Sequence, residues 1–292
     1  MQMTLFGDKI QDFIVNVASV PQRSPFRYPG GKTWLVPYVR RWLSSSKTRP
    51  SEFIEPFVGG GVISLTVAFE RLADHVTMVE LDDQVAAVWR TIISGDGEWL
   101  ASRIATFNLT VNSAKAALAL KASTIYEKAF QTILRNRINR GGIMAHGAGI
   151  IKTGENGKGV RSRWYPQTLK KRILDIIAIR DRITFTEGDG IEVLKRNTRR
   201  AGAVFFIDPP YTAAGKKAGS RLYTHSELDH EELFKVTNRI KGDFLMTYDD
   251  AEGVRDLARQ HGFDMETVAM KSTHHAKMTE LLIGRNLDWV RR

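Results

Sequence analysis

The sequence predicts an α/β protein: a Rossmann-like, mainly parallel sheet interrupted by a mainly helical, basic insert. Three observations predict it. Short apolar runs rich in β-formers alternate with helical stretches over residues 25–95 and again over 173–292. Several of these runs end in a turn carrying glycine, proline or an acid, at the edge where open α/β sheets bind ligands. Between the two stretches, residues 96–172 lose the alternation and gain positive charge. The expected organisation is an arm at 1–24, a sheet domain from 25–95 and 173–292, and an inserted domain at 96–172.

Composition bounds the possibilities. A chain of 292 residues, 42% of them hydrophobic, can bury a sizeable core. No apolar run approaches the ~18 residues of a membrane span. The apolar stretch 13–20 is broken by Asn16 and does not read as a signal peptide. The absence of cysteine excludes disulfides, thiolate zinc sites and a Cys nucleophile, and the expected location is the cytoplasm. No metal is expected, since His274 and His275 lack a third ligand at suitable spacing. The net charge of +11 points to a polyanionic partner. Its location says more: residues 108–172 hold 13 Lys and Arg against only Glu127 and Glu155, so this stretch carries the excess of the whole chain.

The first motif is PFRYPGGK at 25–32. Gly30 and Gly31 permit close backbone approach to a ligand, and Lys32 opens a predicted helix over 33–43, where an anion can be held. A Walker P-loop is excluded, because Phe26 stands where its first glycine is required. The second motif is SEFIEPFVGGGVIS at 51–64: a short strand, a glycine turn and a helix over 62–72. Gly59 and Gly61 with Ser64 fall one small residue short of the dinucleotide pattern. A second strand at 76–79 leads to Glu80, about twenty residues past Gly59, the spacing at which an acid reaches ribose hydroxyls. Asp82 and Asp83 then read as helix caps.

The insert is predicted helical over 113–139, ending in RNRINRGG at 135–142. A glycine-rich stretch at 143–159 contains Asn156-Gly157, a hairpin-turn signal. Arg161, Arg163 and Trp164 follow. Basic residues with aromatics around a glycine-rich hairpin suit a nucleic-acid surface. A helix at 170–180 and a strand at 183–186 restore the rhythm and place Asp189 at another strand edge. The third motif, VFFIDPPY at 204–211, is a buried strand ended by a carboxylate and two prolines that cannot continue a ladder. Asp208 can accept hydrogen bonds from an amine, and Tyr211 can stack on a flat ring. Residues 215–223 read as a loop. Helices at 231–240 and 251–261 alternate with strands at 244–248, 263–270 and 281–284.

Taken together, PFRYPGGK, FIEPFVGGG and IDPPY, with a basic insert before the last, resemble the DNA adenine methylase (Dam-like) family of S-adenosylmethionine-dependent, adenine-specific DNA methyltransferases. The resemblance covers roughly 25–286. It implies a methyltransferase sheet with an inserted target-recognition domain. It places S-adenosylmethionine against Tyr28, Gly30, Gly31, Lys32, Glu55, Pro56, Phe57, Gly59 and Gly61, with Glu80 on the ribose, Asp189 near the adenine and Asp208 between donor and target base. Asp208, Pro209, Pro210 and Tyr211 would be catalytic. Arg135, Arg137, Asn139, Arg140, Lys152, Lys158, Arg161 and Arg163 would contact DNA. The sequence departs from the family at Glu80, where Asp is frequent, and in an insert that matches loosely beyond Asn139-Arg140.

The expected activity is therefore methyl transfer to the N6 amine of an adenine flipped out of duplex DNA. Two alternatives stay open at this point: a methyltransferase of RNA adenine or of the cytosine amine, and a non-catalytic nucleic-acid-binding protein with a degenerate site. Methylation at a cytosine carbon through a Cys is excluded. A monomer is the default, and a restriction endonuclease is a functional partner compatible with such an enzyme.

Overall fold

The computed structural model describes residues 19–27, 31–144, 148–210, 228–271 and 277–291. Seven strands form one sheet in the order β3-β2-β1-β4-β5-β7-β6. They are β1 Glu52–Glu55, β2 His75–Glu80, β3 Ile183–Glu187, β4 Ala203–Ile207, β5 Asp243–Asp249, β6 Asp264–Lys271 and β7 Lys277–Gly284. The first five in that order run parallel, and β7 is antiparallel to both its neighbours. This is the expected Rossmann-like methyltransferase sheet. The order reverses between β1 and β4, which makes their carboxyl ends the topological switch point.

The centre of the sheet shows why these residues become strands. Every position of β1 and β4 is buried, as required of parallel strands covered on both faces. Side chains alternate between two cores with the period of two that a pleat imposes. Phe53, Val204 and Phe206 point into one core; Ile54, Ala203, Phe205 and Ile207 point into the other.

Helices α1 Val36–Ser45, α2 Val62–Glu70 and α3 Asp83–Ser94 cover the first face. The insert adds α4 Gly97–Thr106, α5 Val111–Ala119 and α6 Ile125–Ile138, followed by α7 Pro166–Ile177. The buried apolar cluster runs without a break from Phe53 and Met78 through Trp89 and Ile92 to Leu100, Ile133 and Ile173. The segment 96–172 thus shares a core with the sheet. The second face is covered by α8 Gly190–Asn197, α9 His230–Asn238 and α10 Glu252–Gln260, and α11 Asp288–Arg291 closes the chain. Among the described residues no helix is long and apolar enough to cross a membrane.

Two local expectations are corrected. The helix foreseen over 113–139 is two helices, because Thr124 caps α6 through a capping box with Glu127. Asn156-Gly157 turns no hairpin. Left-handed backbone at Gly154, Asn156, Gly157 and Gly159 folds the chain into short 3-10 turns, and the flanking residues offer no alternating apolar pairs for a ladder.

Candidate active site

The glycine turn leaves β1 at Glu55 and enters α2. Gly59 and Gly61 take left-handed backbone, φ 44° and 64°. At Gly61 a side chain is also excluded sterically, since a Cβ would lie 2.8 Å from the Trp89 ring. Trp89 in turn donates from its indole to the Gly59 carbonyl at 2.9 Å. Two acids fix this turn from below. Glu55 is 3% exposed and accepts from the Ser64 amide at 2.9 Å and from its hydroxyl. Burial pushes its carboxyl up to about 8, against the pull of the Ser64 hydrogen bonds and with a contribution from Asp208. Glu80 accepts from the Gly59 amide at 2.8 Å and from the Leu81 and Asp82 amides at 2.9 Å each. Burial raises it to about 7, although those amides oppose the shift. Asp82 caps α3 through the Gln84 and Val85 amides.

Asp208 follows β4 on the adjacent strand. Since Phe53 pairs with Val204 and Ile54 with Phe205 in parallel, the two motifs leave the sheet side by side at one edge. The Asp208 Oδ1 accepts from the Thr247 hydroxyl at 2.8 Å and lies 3.0 Å from the Lys32 ammonium. The same ammonium is 2.9 Å from Glu280 Oε1 on β7. Lys32 is 6% exposed and Glu280 3%. Burial alone would lower Lys32, but Asp208 and Glu280 more than offset it and hold the ammonium well above its ordinary value. Pro209 is buried behind Asp208 and Pro210 is half-buried. On β5, the buried Tyr248 hydroxyl meets His230 Nδ1 at 2.9 Å, and its phenol is raised by burial and by Asp208.

The structure therefore brings together Gly31-Lys32, Glu55 to Gly61, Glu80 and Asp208. Asp189 is an exposed acid whose Oδ1 caps α8 through the Ile191 amide at 2.7 Å, between Gly188, whose amide donates to the Glu80 carbonyl at 2.9 Å, and Gly190, where a Cβ would collide with the Pro56 carbonyl. Tyr28, Gly30 and Tyr211 lie outside the described residues. Sequence reasoning missed Thr247, Tyr248 and Glu280. The first two had a signal, as polar residues at the carboxyl end of the next parallel strand. Glu280 had another, a lone acid entering the apolar run Leu281 to Ile283.

The basic surface needs correction at two residues. Arg137 is 4% exposed and donates to the Pro25 carbonyl, and Asn139 is 5% exposed and donates to the Ile143 carbonyl at 2.8 Å. Arg137 thus ties the insert to the N-terminal segment and Asn139 ties the insert to itself, and both side chains are largely withdrawn from solvent. Arg135 is partly buried against Gln84. Arg140, Lys152, Lys158 and Arg161 are exposed, and Arg163 is partly so.

The donor set suits a cationic ligand. Glu55, Glu80, Asp208 and Glu280 crowd one edge around the single ammonium of Lys32, and burial and mutual repulsion raise two of them. The acceptor oxygens gathered here suit an amino group and a positively charged sulfur. Among the described residues no group of three or more His, Asp or Glu is placed to hold a metal ion.

Sheet order, glycine turn and edge carboxylate define the class: a Rossmann-like methyltransferase sheet with its candidate site at the switch point. Residues 28–138 match the sequence model of the D12 class N6 adenine-specific DNA methyltransferases, which bears out the resemblance to adenine-specific DNA methyltransferases. The match ends before Asp208. S-adenosylmethionine is the methyl donor this family implies. No curated protein sequence matches the chain. Solved structures resemble it in part. The rRNA methyltransferase AviRa from Streptomyces viridochromogenes is 11% identical, with 93% of this chain and 94% of that one covered and a TM-score of 0.40. A protein from Pyrococcus horikoshii described as an RNA methyltransferase is 12% identical, with 89% and 84% covered and a TM-score of 0.39. A protein described as methyltransferase YhhF from Escherichia coli is 8% identical, with 89% and 92% covered and a TM-score of 0.38.

Proposed function

We propose that this chain transfers a methyl group from S-adenosylmethionine to the N6 amine of an adenine in duplex DNA. One observation carries the reading. Lys32 of the first motif grips Asp208 of the third at 3.0 Å, while β1 sets the glycine turn of the second motif on the neighbouring strand. Three motifs distant in sequence thus converge on one sheet edge. The donor supplies a methyl group on a positively charged sulfur.

The chain's own residues do the rest. The Gly59–Gly61 turn and Glu80 form the floor against which an adenosine would lie, with both Glu80 oxygens already accepting from backbone amides. Asp208 and the Pro209 carbonyl accept hydrogen bonds from the exocyclic amine and aim its nitrogen along the line of displacement. With Oδ1 engaged by an ammonium and a hydroxyl, Asp208 cannot swing away. Positive charge passes to the amine as the methyl group moves, and an edge rich in carboxylates favours its arrival there. Reaching this edge requires the base to leave the duplex, at a cost of a few kcal/mol. The exposed Arg140, Lys152, Lys158 and Arg161 supply phosphate contacts.

Incubation with labelled donor and matched DNA or RNA duplexes, followed by nucleoside analysis, tests the reading. N6-methyladenine in DNA is expected. Label found in RNA alone, or on cytosine, would overturn it. Asp208→Ala should lower the rate by at least ~10³ through lost positioning, with duplex affinity nearly unchanged. A variant turning over normally would remove Asp208 from the chemistry.

A further inference from the structure

We propose that Arg27, Arg137, Arg163 and Arg172 build a binding site for a single phosphate group, separate from the sheet edge. Four guanidiniums converge on a cavity of about 160 Å³, also lined by Tyr165 and Thr168, and among the described residues no acid lines it. They come from four places: the segment before Gly31-Lys32, the end of α6, the 3-10 turn before α7, and α7 itself. Burial lowers the Arg137 guanidinium, and the charges of Arg172, Arg27 and Arg163 lower it further, against an opposing contribution from the Tyr165 phenol.

Part of this cluster has a local explanation. Arg137 donates to the Pro25 carbonyl and Arg172 to the Ser24 carbonyl at 2.9 Å, so both tie the N-terminal segment to the helices. That does not account for two buried donors, Arg137 Nε and Arg27 Nη1, which have no hydrogen-bond partner among the described residues. Arg137 itself is 4% exposed. A water could take those hydrogens but not neutralise the charge. Guanidinium stays protonated in proteins, so the cluster cannot relieve its repulsion by losing a proton. A tetrahedral oxyanion satisfies both requirements, since its oxygens accept from several forks at once.

The phosphate has two possible sources, a nucleic-acid strand or free anion in solution. The first rests on the methyltransferase reading; the site itself does not. The position favours a strand. Ser24, held by Arg172, donates through its hydroxyl to the Gly60 carbonyl, so the cavity adjoins the glycine turn through one residue.

Thermal unfolding of the full chain, titrated with inorganic phosphate against chloride at matched ionic strength, tests the site. A saturable rise in Tm is expected with phosphate and not with chloride. Arg27→Gln and Arg163→Gln, both at partly exposed positions, should weaken the apparent phosphate affinity at least tenfold, and the exposed Lys47→Gln should not. An equal response to chloride, or an undiminished phosphate response in both arginine variants, would overturn the proposal. Duplex binding by fluorescence anisotropy separates the sources. For a strand phosphate, orthophosphate competes with DNA and Arg27→Gln lowers the log–log salt slope by about one. Unchanged duplex binding beside a weakened phosphate response keeps the site and assigns it to free anion. Failure of methyl transfer would leave the phosphate titration unaffected.

Discussion

The carboxyl edge of the sheet and the basic insert handle charge in opposite ways. At the edge, charges are paired inside the protein: one ammonium against two carboxylates, one of which, Asp208, is also fixed by the Thr247 hydroxyl. Between residues 108 and 172, 13 bases gather against two acids, and three of those arginines share a cavity with Arg27. The first arrangement is internally solved and holds groups in one geometry. The second gathers like charge and leaves buried nitrogens of Arg27 and Arg137 without a hydrogen-bond partner among the described residues. A site that positions a reacting atom needs the former, and a surface that captures a polyanion needs the latter.

The largest expected effect comes from breaking the paired side. Lys32→Met keeps the length of the side chain but leaves Asp208 and Glu280 without their shared counter-charge. Removal of one partner from a buried ionic network costs about 3–5 kcal/mol. Adding Glu280→Gln should restore part of that stability, because one of the two stranded charges is gone. Urea denaturation of the single and double variants measures the coupling. Additive losses would show that the three groups do not act as a unit.

That network also marks the limit of what the sequence reveals. Strands β1 and β4 were legible because a few consecutive apolar residues between turn signals can be little else. The edge positions of Glu80 and Asp208 followed directly from the strand ends. Glu280 was not legible, since it arrives on an antiparallel strand from the far end of the chain, and register across a sheet is a tertiary property. Arg137 and Asn139 were misread for a related reason. Basic composition gives the charge of a segment, whereas burial depends on Arg137 of α6 meeting Pro25 and Asn139, just past the helix, meeting Ile143.

A smaller effect, read through pH, sharpens the same side. Glu55 sits at about 8 and Glu80 at about 7, both above the ordinary 4.5. The folded chain therefore binds protons that the unfolded chain has already released. This contribution to stability is complete below about 4.5 and is lost as pH rises through 7 and then 8. Glu55→Gln preserves an acceptor for Ser64 but cannot ionise. The stability of the wild-type chain relative to Glu55→Gln should fall between about pH 5 and 8 and level off above that range. Urea melts across the range check this. A difference that rises with pH would mean that the carboxylate form is the one the fold prefers.

The smallest effects belong to the exposed bases and define the other side of the comparison. Arg140, Lys152 and Lys158 make no ion pair among the described residues, so replacing any one by Ala should change folding stability by no more than about 0.5 kcal/mol. Each should nevertheless lower the salt slope of duplex binding by about one if it contacts a phosphate. Arg161 differs, although it is equally exposed. Its Nε donates to the Leu109 carbonyl at 2.7 Å and so holds the start of α5 to the turn before α7. Arg161→Ala should therefore lose stability as well as slope. Melting curves and salt-titrated anisotropy on the four variants separate a base that serves only an outside anion from one that also serves the fold.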